Sequence, residues 1–367
     1  MRSHIRVLVG LALGATLVLG ACSESTAPTF SDPMATASQA AALDSALGAP
    51  AVASFQSLTA NIQLAPPVSR IAGAVRTMSL AQPGRDRYAA LARQSQALKQ
   101  VVPAFATAAA TGLFPDSTLG WVFGWDTGSS QYVRVATTGG PTNGVRFLLY
   151  EVNASGHPVI PLNQVGYADF MDEGTGNVAV LHIQIKSNSG QTTYLDYTFT
   201  GSGNSASFNA SVTGFVSNGL GPVFNKTLTF TVTIAGTQSS VTFTSNYSLN
   251  NPQVTVQEAV TASDNGTTTT LAINFTFTGP RETVSMSGTL GISDADLSAT
   301  IDLTFRINGH TIATVTGSTD NPVITHSGGG ELTTNERTAL TYLFLAAANL
   351  ASQLNDVFAP AQNVLGF

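Results

Sequence analysis

The sequence predicts an α+β protein, mostly β: a large curled antiparallel meander sheet, half-barrel-like, packed by a C-terminal helix and preceded by an N-terminal helical segment. Three observations carry this. Apolar and polar residues alternate in run after run from Leu119 onward. The runs are separated by short Gly-, Asn-, Asp- and Ser-rich stretches, and strand starts recur about every fourteen residues. One broad helical stripe then closes the chain. Period two with one apolar face means antiparallel strands, packed on one side and wet on the other. The repeat is too short for βαβ crossovers, which need a dozen or more residues between parallel strands.

In chain order, residues 1–21 read as a secretory signal. Arg2 and Arg6 precede an apolar run from Val7 to Ala21, interrupted by one polar side chain, Thr16. The run is fifteen residues long, short of the roughly twenty a spanning helix needs. Residues 22–34 are small and polar with Pro28 and Pro33, the composition of a flexible tether. Residues 35–112 form a helical N-terminal segment. Ala35–Leu47 is Ala-rich, Pro50–Ile62 places Val52, Phe55, Leu58 and Ile62 on one face, and Arg85–Gln100 is a third candidate. Arg70, Arg76, Arg85, Arg87 and Arg93 are the main basic concentration, read as a solvated helix face.

The β region spans 113–330. Trp121–Asp126, Tyr132–Ala136 and Val145–Val152 read as its first strands. Leu181, Ile183 and Ile185 then oppose His182, Gln184 and Lys186. Leu195, Tyr197 and Phe199 oppose Asp196, Thr198 and Thr200. The same pattern recurs in 227–234, 271–278 and 297–307, and a dozen or more strands are expected in all. Ser187–Gly190, Ser202–Asn204, Asn218–Gly221, Asp264–Gly266 and Asn308-Gly309 carry hairpin-turn chemistry. A helix is expected over 331–358. Thr333 to Glu336 has capping-box spacing, and Leu340, Leu343, Phe344, Ala347 and Leu350 follow at steps of three and four. Pro360 stops it, leaving 359–367 as a tail.

Composition narrows the function classes. The whole chain carries −6, and removal of Arg2 and Arg6 with the signal takes the mature chain near −8, against a nucleic-acid partner. Charged residues are 10%, against about 25% in ordinary soluble domains. A single cysteine, Cys22, excludes a disulfide framework.

Leu19-Gly20-Ala21-Cys22 resembles the lipobox of bacterial lipoproteins, although Gly20 at −2 is the less usual choice. The resemblance implies that the Cys22 thiol is lipidated, that residues 1–21 are removed, and that two or three acyl chains hold the protein to a membrane. An exported, envelope-anchored protein follows, with the outer membrane favoured in a Gram-negative cell because Ser23 is not Asp. The alternative is an ordinary cleaved signal with one leftover thiol. The curled sheet with a helix also loosely resembles periplasmic lipoprotein-carrier and lipid-binding half-barrels, in architecture alone.

No catalytic residue is assigned, and no cofactor or metal is expected. Asp126-Thr127-Gly128 resembles the active-site signature of aspartic peptidases, but that chemistry needs two carboxylates, and no second copy is present. A peptidase is the weakest alternative, and a hairpin turn is the plainer reading. His157, His182, His310 and His326 lack metal-ligand spacing, and His182 near Asp196 reads as a solvated polar pair. Asp294 and Asp296 supply too few oxygens for a calcium site. Phe367 resembles the terminal aromatic of outer-membrane barrels, but those end in a strand rather than a helix and tail. The leading expectation is a lipid-anchored envelope protein that binds an apolar ligand, a lipid or acyl chain, without catalysis. A structural or adhesive surface module is the alternative, and the oligomeric state stays open.

Overall fold

The computed structural model describes residues 29–43, 49–61, 102, 112–176, 178–204, 206–220, 225–237, 239–293, 298–318, 321–328, 331–340, 342–343 and 360. The expected signal over 1–21, Cys22, the Arg-rich helix candidate at 85–100 and Asp294 with Asp296 lie outside these residues.

Fifteen strands form one sheet. The first five are β1 (Val122–Asp126), β2 (Gln131–Ala136), β3 (Gly144–Tyr150), β4 (Gln164–Asp172) and β5 (Ala179–Ser187). Five longer strands follow: β6 (Thr193–Gly203), β7 (Ser207–Ser217), β8 (Thr227–Thr237), β9 (Ser240–Leu249) and β10 (Val254–Asp264). The last are β11 (Thr268–Thr278), β12 (Thr283–Ser293), β13 (Ala299–Ile307), β14 (His310–Ser318) and β15 (Asn321–His326). From β3 to β15 every neighbour in the sheet is also the neighbour in sequence, and each of these pairs is antiparallel, so the expected meander is present. The one departure is at the start. β1 pairs in parallel with β3 through Val122↔Arg146 and Phe123↔Phe147, and β2 lies outside β1.

Laid flat, fifteen strands would be about 67 Å wide. Sheets beyond roughly ten strands curl, split or close. This one stays open, with β2 and β15 as its edges. The alternation read from the sequence sets the buried face. Leu181, Ile183, Leu195, Tyr197, Leu228, Phe230, Leu271, Ile273, Phe275 and Phe277 are each at most 3% exposed and join one continuous core. Asn265-Gly266 and Asn308-Gly309 make the tight turns expected of them. Asn308 and Gly309 both take the left-handed conformation, with φ of 48° and 86°.

Two short helices close over this face. α1 (Pro33–Ala42) starts where Asp32 caps the backbone N–H of Ala35 at 3.0 Å and Pro33 occupies the first turn. It docks onto the β11–β12 turn. The Glu282 carboxylate, buried, accepts from the Ser31 N–H at 2.9 Å and from the Thr36 hydroxyl, while Arg281 pairs with Asp32 at 3.2 Å. The tether expected through Met34 is therefore already docked at Phe30, which is 6% exposed. Buried hydrogen-bond acceptors from residue 282 hold this stretch in place, a contact invisible to local composition.

α2 (Pro50–Asn61) packs on β3 to β6. Its Phe55 ring meets Phe170 at 5.9 Å, and Phe147 and Phe123 extend the aromatic stack at 5.4 and 4.9 Å. The hydroxyl oxygen of buried Ser54 accepts the N–H of Tyr150 at the end of β3 at 3.1 Å. The C-terminal helix, α3, is described at 334–340 and 342–343. It opens on the expected capping box, in which Thr333 and Glu336 exchange bonds at 2.8 and 3.3 Å. Leu332, Ala339, Leu340 and Leu343 of this segment belong to the sheet's core.

Glycines set where side chains can lie. Phe208 of β7 is directly opposite Gly236 of β8, and its ring fills the space a Cβ there would need. Gly236→Val should therefore destabilise the fold by about 2 kcal/mol, the usual cost of overpacking. Chemical denaturation would show it as a lowered midpoint, and Phe208→Leu in the same chain should recover part of the loss.

Candidate functional site

On the buried face, strand register lines up one row of residues across the sheet: Leu181, Phe199, Val212, Val232, Ser245, Glu258, Phe275, Met286 and Phe305. Ser245 and Glu258 are the polar members of that row, side by side near its middle. Glu258 replaces the apolar residue that the alternation Val254, Val256, Val260, Ala262 calls for. Tyr247, two residues along β9 on the same face, adds a third polar group and is 3% exposed.

Cover over the face is incomplete here. Most of the row is within a few per cent of complete burial, but Val232 keeps 9% and Ile234 8%, and Phe199, Phe243 and Glu258 are only half-buried. Ile234, Phe243, Ser245 and Glu258 are cross-strand or near neighbours on β8, β9 and β10. The Glu258 side chain keeps some accessible surface while its carboxyl end is enclosed.

The electrostatics follow from that position. Burial drives the Glu258 carboxyl up to about 7, and a hydrogen bond with the Ser245 side chain only partly opposes it. Burial also pushes the Tyr247 phenol up, and the nearby Glu258 charge adds to the effect. The arrangement can offer a neutral acid, a carboxylate or a hydroxyl to a group placed among apolar side chains.

The outer face is different. Thr198, Thr213, Thr231, Asn246, Gln257, Thr276, Ser285 and Arg306 lie in register across eight strands. Neighbouring hydroxyls such as Thr242 and Thr261 bond across strands at 3.1 Å. His182 and Asp196 do meet, at 2.8 Å, and Gln184 holds the other Asp196 oxygen at 2.7 Å. The sequence reading missed Glu173, which takes the second ring nitrogen of His182 at 2.8 Å. It lies nine residues away in the β4–β5 connection, where spacing gives no signal. Two carboxylate acceptors favour the form in which both ring nitrogens donate, the imidazolium. Burial works against that charge, but the bonds to Glu173 and Asp196 and their charges outweigh it and raise the imidazole above its usual value. Beside it, Arg146 forms a two-pronged pair with Asp169 at 2.6 and 2.7 Å and lies over the Tyr167 ring at 3.9 Å.

Asp126 is a turn residue in this structure. Its carboxylate is exposed and accepts from the Ser129 hydroxyl and N–H at 2.6 and 2.9 Å, bonds that hold it below the usual carboxylate range. Ser130 takes the left-handed conformation that the β1–β2 hairpin needs. Its carboxylate is thus engaged by its own loop, without a second acid among its hydrogen-bond partners in the described structure. His157, His182, His310 and His326 lie on different elements. No group of three or more His, Cys, Asp and Glu that could hold a metal occurs among the described residues. His326, on edge strand β15, has both ring nitrogens buried with no partner among those residues. No described helix is long and apolar enough to cross a membrane. No protein family, curated protein or solved structure matches the chain.

Two titrations check these assignments. The imidazole proton of His182, followed by NMR, should titrate above 6.5, and Asp196→Asn should lower its midpoint. Glu258 has the opposite linkage. Its folded-state value lies above the ordinary 4.5, so between about 4.5 and 7 the folded chain retains a proton that the unfolded chain has released. Its contribution to stability therefore falls as pH rises through that window and stays low above it. Glu258→Gln should remove this loss, so the variant should gain on the wild type by roughly 3 kcal/mol between pH 4 and pH 8.

Proposed function

We propose that this is a lipid-anchored protein of the bacterial cell envelope whose β domain binds an apolar molecule, a lipid or acyl chain, without catalysis. The anchor is Cys22, supported by the Leu19-Gly20-Ala21-Cys22 sequence and the apolar run before it. The observation that carries the binding role is that Phe199, Phe243 and the acid Glu258 are only half-buried on the apolar face, beside the core residues Val232 and Ile234. A purely structural core would fill that place with side chains, because interiors pack to near-crystalline density. A partner on the membrane side is the acyl-chain layer itself, reached through Cys22.

A second reading has its own support. The in-register hydroxyls of the outer face and the exposed Val323 and Ile324 on edge strand β15 suit a structural or adhesive module that meets other surfaces. Pro322 in that edge strand lacks an N–H and blunts unrestrained pairing.

The mature chain with Cys22→Ser, purified without detergent and extracted with organic solvent, should release a near-stoichiometric lipid detectable by mass spectrometry. In cells, labelled palmitate should enter the wild-type protein and not the Cys22→Ser variant. Lipid-free protein that also fails to take up added lipid would favour the surface-module reading. Label persisting in the variant would remove the anchor.

A further inference from the structure

We propose that Glu258, with Ser245 and Tyr247, is the head-group anchor of the apolar site, and that the site takes a long-chain molecule ending in a cationic or neutral hydrogen-bonding head while rejecting an anionic one. This rests on the apolar-ligand reading above and names the chemistry that the same site selects.

The position of Glu258 is the first argument. The meander needs an apolar residue there: Val232 and Ser245 lie on one side in the row and Phe275 on the other, and Val256 and Val260 flank it along the strand. An acid in that place costs the fold stability at neutral pH and contributes nothing to strand pairing. A buried polar group of this kind calls for a partner.

Its surroundings are the second argument. A carboxyl can engage in about four hydrogen bonds, and Ser245 supplies one. Tyr247 is the titratable group that faces it from β9, and the neighbour from β11 is the apolar Phe275. No cation among its cross-strand neighbours offsets its charge. The side chain keeps accessible surface, and Phe243, which lies beside Ile234 and Val232 on the same face, is also half-buried. A polar head placed against Glu258 would leave its chain along those apolar residues.

Charge sets the choice of head. A carboxylate ligand would bring a second negative charge beside Glu258 in a place of low dielectric, and two such charges cannot both ionise at contact. An ammonium would pair with the carboxylate, and an alcohol would hydrogen-bond it in either state. Because burial holds the carboxyl near 7, the advantage of the ammonium grows as pH rises through that value.

Three probes of equal chain length separate these cases: tetradecylamine, tetradecanol and tetradecanoate, each below its aggregation concentration. Each displaces the neutral fluorophore N-phenyl-1-naphthylamine from the mature Cys22→Ser chain. At pH 8 the amine should bind at least about tenfold more tightly than the carboxylate, equivalent to about 1.4 kcal/mol. Glu258→Gln should collapse that ratio toward one, chiefly by weakening the amine and strengthening the carboxylate. Equal binding of all three probes, unchanged in Glu258→Gln, overturns the head-group assignment and leaves the apolar-binding reading standing. Failure of the fluorophore and every probe to bind overturns both. A pH series on the unmutated site needs no folded variant. The amine stays charged from pH 5.5 to 8.5, so its affinity relative to the alcohol should rise several-fold across about pH 7. A flat ratio there also overturns the assignment.

Discussion

Register is the constraint on which this molecule depends. Side chains in a strand alternate between faces, so a one-residue slip in any of the strands would turn that strand's apolar row to water and its threonines to the core. The pairing runs without a shift from Thr268↔Ser293 to Thr278↔Thr283 and from Ser207↔Thr237 to Ser217↔Thr227. Eleven-residue strands of this kind present five or six side chains to each face, and the error would cost each apolar one its burial, about 1.5–3 kcal/mol apiece. The same register that buries Leu271, Ile273 and Phe275 delivers Ser245 and Glu258 to one spot. The candidate site is therefore a product of the fold's strictest rule and a local exception to its chemistry.

Cover for the buried face comes from opposite ends of the sheet's sequence. α2 contacts β3 to β6, and α1 is tied to the β11–β12 turn about 250 residues away through Glu282. Glu282 is worth more than its single charge suggests, because a buried carboxylate accepting two hydrogen bonds would be costly to leave unpaired. The aromatic column Phe55–Phe170–Phe147–Phe123 packs the beginning of the sheet densely. The middle strands lack such a column. Their buried face mixes aliphatic and single aromatic side chains, and the Phe208 ring lies over Gly236 where a Cβ would otherwise sit. Phe243 and Glu258 stay half-buried in this stretch.

Two carboxylate environments on the two faces behave in opposite ways. On the outer face, Glu173 and Asp196 stabilise the charge of His182 and raise its imidazole above the usual value. On the inner face, Glu258 has no such cation among its described cross-strand neighbours, and burial raises its carboxyl. The outer network ties the β4–β5 connection to β5 and β6. The inner carboxyl is the group whose charge state a ligand would alter, because pairing is the cheapest relief for a buried charge.

Much of the fold was legible in the residues alone, and the reason is period. Alternation at 181–186, 195–200, 228–234 and 271–277 required an antiparallel sheet, the Asn-Gly and Asp-Asn-Gly turns required hairpins, and Thr333 with Glu336 marked a helix start that forms as written. These are local rules, satisfied within a few residues. The proposed anchor at Cys22 likewise rests on the sequence by itself, since the resemblance of Leu19-Gly20-Ala21-Cys22 to a lipobox is one of linear motif. Tertiary structure decided what depends on neighbours: the parallel placement of β1 beside β3, the docking of Phe30 and Ser31 where a free tether was expected, and the meeting of Glu173 with His182. It also decided the meaning of Glu258. In the chain it is an acid interrupting Val-x-Val-x-Glu-x-Val. Only pairing of β9 with β10 sets it beside Ser245, next to Tyr247 and the half-covered Phe243, because strand register alone determines which side chains share a face.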